Sequence, residues 1–339
     1  MLRDPDLTDS RFDWAVLSGA PNIQVQEVSA PTFSLKEQTA LPRALLNPRV
    51  ELYHTPYFAL PWVLRSSALV TVHDCIFEHD PRYMPKRWAR LYYNLLMQFS
   101  LRRARAVAVP SEATARDVRR FYNVPRGKLV VTPEAADSNF RPIYDKTALE
   151  RVRKDYRLHK PFILAVGARR PHKNFDLLVE AFARLESQDA QLVFVGEADE
   201  RFPDDATVAA QATNDKVRFL GKVPEHDLPL LYNLATAFAS PSLLEGFGLP
   251  VLEAMSCGMP VVCSDIPVFR EVAGDAAMLV PPTNGALWSA ALDTLLSDKG
   301  LCDKLRATGL QRADMFHWSA TASALLPVYG KILGRQVPG

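Results

Sequence analysis

Short apolar runs rich in β-branched residues alternate along the chain with longer segments of helical periodicity. This alternation is typical of parallel α/β units, in which a strand is followed by a helix that packs on the sheet. The pattern predicts strands at residues 14–17, 25–28, 51–53, 69–72, 106–109, 129–131, 162–166, 191–195, 217–219, 237–239, 261–263 and 278–280. It predicts helices at residues 35–46, 85–104, 112–122, 174–185, 226–234, 249–256, 268–272, 286–296 and 319–333.

The predicted strands fall into two groups on either side of a polar, charged segment at residues 139–159. A chain of 339 residues, of which 48% are hydrophobic, is long enough to form two cores. We therefore expect two doubly wound domains, at residues 1–150 and 151–316. A last amphipathic helix lies within residues 317–339.

Composition limits the partners and the compartment. The net charge of +2 indicates no partner, and the four cysteines form no Cys-x-x-Cys pair that could hold a structural zinc ion. No apolar run reaches the length of a membrane span, and the first residues do not form a signal peptide. These features favour a cytoplasmic protein in a reducing environment.

Two carboxylates, Glu245 and Glu253, stand eight positions apart around a predicted helix N-terminus. Gly246 and Gly248 allow the backbone to turn sharply there, so that free N–H groups can face an anion, which the helix dipole also favours. The segment therefore predicts a seat for a diphosphate. The ordinary alternative is an acidic residue at a helix N-terminus with a buried glutamate after it.

A second polar cluster follows the predicted strand at residues 162–166. Arg169, Arg170 and Lys173 fall in the loop that begins at Gly167, at the carboxyl edge of the sheet where ligands of α/β proteins bind. Cations at this place would stabilise the negative charge that grows on a leaving nucleoside diphosphate. The ordinary alternative is a solvated basic loop.

The run from residue 245 to residue 262, Glu-Gly-Phe-Gly-Leu-Pro-x-x-Glu-Ala-Met-x-x-Gly-x-Pro-Val-Val, resembles the sugar-nucleotide site of family 4 glycosyltransferases. The resemblance extends over nearly the whole chain and is strongest from residue 162 to residue 282. It implies the GT-B fold, in which two Rossmann-like domains face each other across a cleft. It also implies transfer of a sugar from a nucleoside-diphosphate sugar with retention of configuration, and no covalent nucleophile is required.

The resemblance assigns roles to the acidic motif. Glu253 is expected to bind the ribose hydroxyls, since a carboxylate can accept two hydrogen bonds. Glu245 is expected to face the sugar, with the N–H groups of Phe247, Gly248 and Leu249 near the sugar or phosphate.

The basic loop also resembles a family segment, in which Lys173 falls on the lysine that contacts phosphate. Two positions differ from the family pattern: Ala168 replaces an arginine, and His172 stands where many members have arginine. Either Arg169 or Arg170 is then expected to supply the missing cation.

Three further positions are candidates by resemblance. Lys222 and Val223 lie in a turn that holds the nucleobase in the family, although their sequence alone indicates an ordinary strand-to-helix turn. His73 ends an apolar strand at residues 69–72 and is expected to orient sugar and acceptor across the cleft. A histidine at a strand end is otherwise often structural.

No metal or other cofactor is expected, because cations and a helix N-terminus can replace Mg²⁺ at the diphosphate. Similarity to bacterial polysaccharide mannosyltransferases favours GDP-mannose over UDP-sugars, with a glycan or lipid-linked acceptor. The family normally opens with a strand and a glycine-rich loop, which we do not find at the start of this chain. We therefore expect an incomplete first sheet, either because the start is truncated or because another segment, a partner subunit or a second copy fills the gap.

Two alternatives to transfer share the same architecture: a catalytically silent nucleotide-binding protein, and a sugar-nucleotide epimerase. The segment at residues 86–105, which is basic and aromatic, could lie on an anionic membrane. The alternative, somewhat favoured by sequence alone, is a solvated helix whose aromatic residues face the core. Nucleic acid is not expected as a partner, since no nucleic-acid-binding motif accompanies the charge.

Overall fold

The structure is a computed structural model, which describes residues 1–5, 19–30, 34, 36–46, 50–84, 86–185, 189–202 and 216–336. These residues form two lobes, each built on a parallel sheet. The predicted strand at residues 14–17 lies outside the described residues.

The first lobe has a four-stranded parallel sheet in the order β3-β4-β5-β6, preceded by a separate parallel pair, β1-β2. The strands are β1 (Leu2–Arg3), β2 (Gln26–Glu27), β3 (Leu52–Thr55), β4 (Ser67–Thr71), β5 (Ala106–Val109) and β6 (Leu129–Val131). The helices are α1 (Glu37–Leu46), α2 (Ile76–His79), α3 (Arg87–Arg103) and α4 (Glu112–Tyr122). The expected absence of a first strand and glycine loop stays a prediction.

Helix α4 shows how local sequence sets an element's bounds. The Ser111 side chain accepts a hydrogen bond from the Thr114 N–H at the N-terminus, as predicted from its position. Asn123 ends the helix in the left-handed conformation with φ of 53°. The predicted bounds of this helix are confirmed.

The second lobe has six parallel strands in the order β12-β11-β10-β7-β8-β9. They are β7 (Phe162–Val166), β8 (Gln191–Val195), β9 (Val217–Phe219), β10 (Ala237–Ser240), β11 (Val261–Ser264) and β12 (Met278–Val280). Strands β8, β10 and β11 are buried along their whole length, which matches their mainly apolar sequences because helices cover both faces of such a sheet.

The helices that follow the first lobe are α5 (Lys146–Asp155), α6 (Phe175–Ala183), α7 (Leu228–Leu234), α8 (Leu249–Ser256), α9 (Pro267–Ala273), α10 (Gly285–Ser297), α11 (Lys299–Ala313) and α12 (Trp318–Leu333). Helix α2 of the first lobe and helices α5 and α11 had no counterpart in the sequence-based assignment. Helix α5 contacts α7, and Val152 of α5 is fully buried in the second lobe's core.

The last helix, α12, packs on the sheet of the first lobe. Its apolar residues Leu325, Val328, Tyr329 and Ile332 cover the buried side chains of β4 and β5. The Tyr329 hydroxyl also lies 2.6 Å from Nδ1 of His54 on β3. The end of the chain therefore spans the two lobes.

Candidate functional site

The two sequence motifs meet at the point where the strand order of the second sheet reverses. Strands β7 and β10 are neighbours there, and the loop after each begins at the same carboxyl edge. The Leu243 N–H of one loop donates to the His172 carbonyl of the other at 2.7 Å. This reversal is the usual ligand position of open α/β sheets.

An ion pair joins the motifs at this edge. Lys173 Nζ donates to Glu245 Oε1 at 2.6 Å, and the Ser242 hydroxyl donates to the same oxygen at 2.8 Å. Both charged side chains are largely buried, with 14% and 11% of their surface exposed. Burial favours a raised pKa for the Glu245 carboxyl, but the Lys173 charge and hydrogen bond outweigh it and hold that pKa below its ordinary value. Glu245 is therefore ionised at neutral pH.

Helix α8 presents free backbone donors to the same place. The N–H groups of Phe247, Gly248 and Leu249 have no acceptor among the residues that the structure describes. Gly248 adopts a φ of 100°, and a Cβ atom there would lie 2.6 Å from the Phe269 ring. Glycine is thus required for this turn, which opens the helix N-terminus towards an anion.

The two arginines of the basic loop point in different directions. The Arg169 guanidinium lies 5.0 Å from the centroid of the Phe219 ring on β9. Arg170 donates to Asp199 at 2.9 Å. Burial raises the pKa of Asp74 in the first lobe, and the Arg170 charge is one of the smaller influences that oppose this rise, so Arg170 acts electrostatically across the cleft.

His172, the departure from the family pattern, is a neutral group. Burial, followed by the charge of Lys173, lowers its pKa to about 4. Its ring packs edge-on against Tyr83 of the first lobe, with centroids 5.6 Å apart. The position therefore carries no charge, in contrast to the arginine that the family resemblance leads us to expect there.

The candidate residues for base contact lie after β9. Lys222 is exposed, whereas the Val223 side chain is 8% exposed and packs in the core. Gly221 turns the chain between β9 and Lys222 with a φ of 67°. Val223 can therefore contact a ligand only through its backbone.

Glu253 lies on α8, where the Tyr232 hydroxyl donates to its Oε2 at 2.9 Å. Burial raises the pKa of this carboxyl to about 7, although the Tyr232 hydrogen bond lowers it. Glu253 therefore changes its charge near neutral pH, in contrast to Glu245.

His73 follows β4 in the first lobe and has both ring nitrogens engaged. Nδ1 lies 2.9 Å from the Glu134 carboxylate and Nε2 lies 2.9 Å from the Pro56 carbonyl. The Glu134 hydrogen bond raises the pKa of His73 above its ordinary value despite opposition from burial. Since both partners are acceptors, the arrangement is fully satisfied only by the protonated ring.

The lobes touch directly at this site through Gly246. The hydroxyls of Ser111 and Thr114 donate to the Gly246 carbonyl at 2.7 and 3.0 Å. A Cβ atom on Gly246 would lie 1.9 Å from the His73 carbonyl oxygen, so only glycine fits. The acidic motif is therefore pressed against the loop that carries His73.

Sequence reasoning missed the residues that hold the candidate side chains in place. Ser242, Tyr232 and Glu134 each bind a predicted site residue, but no motif marked them. Only the structure reveals these partners, because they are apposed by folding. In the described part of the chain, no group of three or more His, Cys, Asp or Glu residues could hold a metal ion.

Comparison with known proteins covers both lobes. A family model described as "Glycosyl transferases group 1" matches residues 148–312, and one described as "Glycosyl transferase 4-like domain" matches residues 3–135. O-antigen chain mannosyltransferase B of Escherichia coli is 32% identical over 292 residues, which are 84% of this chain and 76% of that protein.

Two solved structures have the same fold. Sucrose-phosphate synthase of Thermosynechococcus elongatus aligns with a TM-score of 0.77 at 23% identity, covering 98% of this chain and 87% of that one. Anabaena HepE, in complex with UDP and glucose, aligns with a TM-score of 0.75 at 18% identity, covering 91% and 86%. The architecture is therefore GT-B, as the sequence predicts. Within the described residues, no helix has the length and apolar character needed to cross a bilayer.

Proposed function

Because the chain belongs to the glycosyltransferase group 1 family, we propose that it transfers a sugar from a nucleoside-diphosphate sugar to a glycan or lipid-linked acceptor, with retention of configuration. GDP-mannose is the favoured donor, since the Escherichia coli relative is named a mannosyltransferase.

The observation that carries the proposal is the set of groups at the strand-order reversal. Lys173 and the free N–H groups of Phe247, Gly248 and Leu249 converge on one edge of the second sheet. They suit a diphosphate, whose negative charge grows as its bond to the sugar breaks. Arg170 adds a nearby cation, so the site can act without a metal ion.

The acidic residues suit recognition better than covalent chemistry. Ionised Glu245 is held by Lys173 and Ser242 and would accept hydrogen bonds from sugar hydroxyls. Glu253 would accept those of the ribose, and the backbone at Val223 would meet the base. In the proposed step, the acceptor oxygen bonds to the anomeric carbon on the face from which the diphosphate departs. The acceptor proton passes to a phosphate oxygen.

His73 supplies the first lobe's contribution. Its ring is held by Glu134 and Pro56, and its carbonyl lies against Gly246 of the donor loop. To orient a sugar hydroxyl or the acceptor, the cationic ring would exchange the Pro56 carbonyl at Nε2 for a ligand oxygen, while Glu134 keeps hold of Nδ1. We place the reaction in the cytoplasm, at a membrane surface where a lipid-linked acceptor is present. We also propose that a second copy or a partner subunit lies beside β3 and completes the first sheet.

Incubation with a panel of nucleotide sugars tests the function. We expect binding and slow hydrolysis of GDP-mannose without an acceptor, and an α-linked product once an acceptor is supplied. Formation of an epimer of the donor would support the epimerase instead. Binding without hydrolysis or transfer to any glycan or lipid-linked acceptor would indicate a silent nucleotide-binding protein.

A further inference from the structure

Helix α3 carries an apolar stripe that no described element covers. Trp88, Leu91 and Leu95 are 70%, 62% and 59% exposed. Their spacing of three and four residues places them on one face of the helix. The opposite face packs in the first lobe's core through Tyr93, Leu96, Met97 and Leu101. The expectation that the aromatic residues of this segment all face the core is thus wrong for Trp88.

The charges around the stripe have one sign. Helix α3 contains Arg87, Arg90, Arg102 and Arg103 and has no aspartate or glutamate. Beyond its C-terminus, Arg105 and Lys128 line a shallow cavity together with Arg102 and Arg103.

These cations are not neutralised by neighbours. Among the described residues, none of the six has a carboxylate within ion-pair distance. Arg103 and Lys128 instead donate to backbone carbonyls, which fixes their positions and leaves their charge uncompensated. The acids on α2 and α4 are otherwise engaged: Glu78 accepts from the Tyr122 hydroxyl, Asp117 pairs with His79, and Glu112 pairs with Arg126.

We propose that α3 docks on an anionic phospholipid bilayer, with the stripe of Trp88, Leu91 and Leu95 buried among the lipid headgroups and acyl chains. The flanking arginines and the cavity at Arg102 and Arg105 then contact lipid phosphates. An exposed apolar face bordered by cations is the arrangement of helices that lie in the membrane interface, and tryptophan favours that boundary. Each cation near an anionic surface strengthens binding by about fivefold.

Charge decides between a bilayer and a second copy of the chain. A symmetric dimer through this stripe would oppose the same helix on both subunits. The arginines of one α3 would then meet the arginines of the other, with no acidic residue on either helix to compensate. An anionic surface complements the same charges.

Vesicle co-sedimentation of the full chain tests the docking. The vesicles contain phosphatidylcholine alone or equal parts of phosphatidylcholine and phosphatidylglycerol, and no sugar donor is present. We expect binding to the anionic vesicles, weak binding to the neutral ones, and a decrease with salt. The triple variant Trp88→Ser, Leu91→Ser, Leu95→Ser should bind at least tenfold more weakly. The double variant Arg102→Gln, Arg105→Gln should lose about tenfold or more.

Matched variants elsewhere control for general changes of surface. Leu287→Ser removes a side chain that is 48% exposed on α10, and Lys146→Gln with Lys154→Gln removes two exposed charges on α5. Both should bind vesicles like the parent protein. Unchanged thermal unfolding would show that each α3 variant is folded, and the double variant keeps the test valid if the triple variant is not.

Three results would overturn the proposal. Equal binding to neutral and anionic vesicles would remove the role of charge, and full binding by both α3 variants would remove the role of this face. A concentration-dependent dimer that the triple variant abolishes, without anionic-vesicle binding by the parent, would assign the face to a second copy. Because the assay needs no donor, its outcome is independent of the proposed transfer.

Discussion

Glu245 and Glu253, the two glutamates of the acidic motif, differ in charge because their neighbours differ. Glu245 contacts the Lys173 ammonium directly, whereas Glu253 accepts a hydrogen bond from the neutral Tyr232 hydroxyl, and burial raises the pKa of Glu253 to about 7. Only the ionised carboxylate can accept hydrogen bonds from two ribose hydroxyls with both oxygens. A nucleotide should therefore bind the ionised form of Glu253 preferentially.

This difference predicts a pH-dependent affinity. Affinity for GDP should rise as the pH increases through about 7 and level off above it. Below that pH, binding includes the free energy needed to deprotonate Glu253, whereas above it the carboxyl is already ionised. Glu253→Gln should bind about 1–3 kcal/mol more weakly above that pH and lose the Glu253 contribution to the pH dependence. Calorimetry over a pH series measures both effects.

The glutamine variant also reports any titration of the ligand's own phosphate, which must be subtracted. Tyr232→Phe removes the hydrogen bond that lowers the Glu253 pKa, so its midpoint should lie above that of the parent protein. If the parent and Glu253→Gln show the same affinity at every pH, Glu253 does not bind the ribose.

Lys173 is expected to act mainly in the transition state. The charge on the leaving diphosphate is greatest there, so Lys173→Ala should lower kcat on the order of a hundredfold while donor KM changes little. Lys160→Ala is the control, because Lys160 pairs with the exposed Asp189 in the same lobe. Steady-state kinetics separates the two constants, and a raised KM with unchanged kcat would limit Lys173 to binding.

At the scale of elements, the sequence predicted best where a local pattern alone determines the structure. Strands β5, β7, β8 and β9 begin and end at the predicted residues. Helix α11 was not predicted, because its sequence contains Gly300 and Gly309, which weaken the helical pattern. The helix is instead stabilised by its packing on α8, where Gly309 lies against the Met255 side chain. That gain comes from tertiary packing, which the local pattern does not contain.

The residues of the candidate site also fall into those that a local sequence pattern identifies and those that only the fold brings together. Lys173, Glu245 and Glu253 stand in motifs of closely spaced residues and could be identified from the sequence. The hydrogen bond between His73 and Glu134 joins residues 61 positions apart, on loops after two different strands. No spacing along the chain reports such a contact, so the partners of the candidate residues required the fold.

The turn at Gly246 makes a prediction about how elements fit together. In Gly246→Ala the new Cβ would lie 1.9 Å from the His73 carbonyl oxygen, and neither atom can rotate away, because the oxygen belongs to the backbone and the Cβ is bonded directly to it. The loops must then separate, and displacement of reacting groups should lower kcat on the order of a hundredfold. Affinity for GDP should change little, because the nucleotide groups lie on the second lobe.

Gly127→Ala provides the control for this substitution, since a Cβ there meets no atom within 4 Å. It should retain the parent's transfer rate. Normal transfer by Gly246→Ala would show that the contact between Gly246 and the His73 loop is not needed in the reacting enzyme.

For the whole molecule, catalysis requires that the two lobes hold a common geometry. Among the described residues, the contacts that join them include the Gly246 carbonyl with Ser111 and Thr114, the ring contact between His172 and Tyr83, helix α12 on the first sheet, and Glu271 on α9. The Glu271 carboxylate accepts from the Glu112 N–H at 2.7 Å and the Ala113 N–H at 3.2 Å. These N–H groups open α4 and have no acceptor within the helix, and a negative charge there also suits the helix dipole.

Glu271→Ala should therefore loosen the contact between the lobes at α4. The amides of Glu112 and Ala113 should exchange hydrogen about tenfold faster or more, because hydrogen bonds to a charged acceptor contribute about 1.5–3 kcal/mol. Mass spectrometry of amide exchange measures this, with Glu180→Ala on the exposed face of α6 as the control. Transfer should slow while GDP affinity is retained, since the nucleotide groups remain intact in the second lobe. Unchanged protection of these two amides would mean that Glu271 does not hold α4 in solution, and the contact between the lobes would then depend on Gly246, His172 and α12.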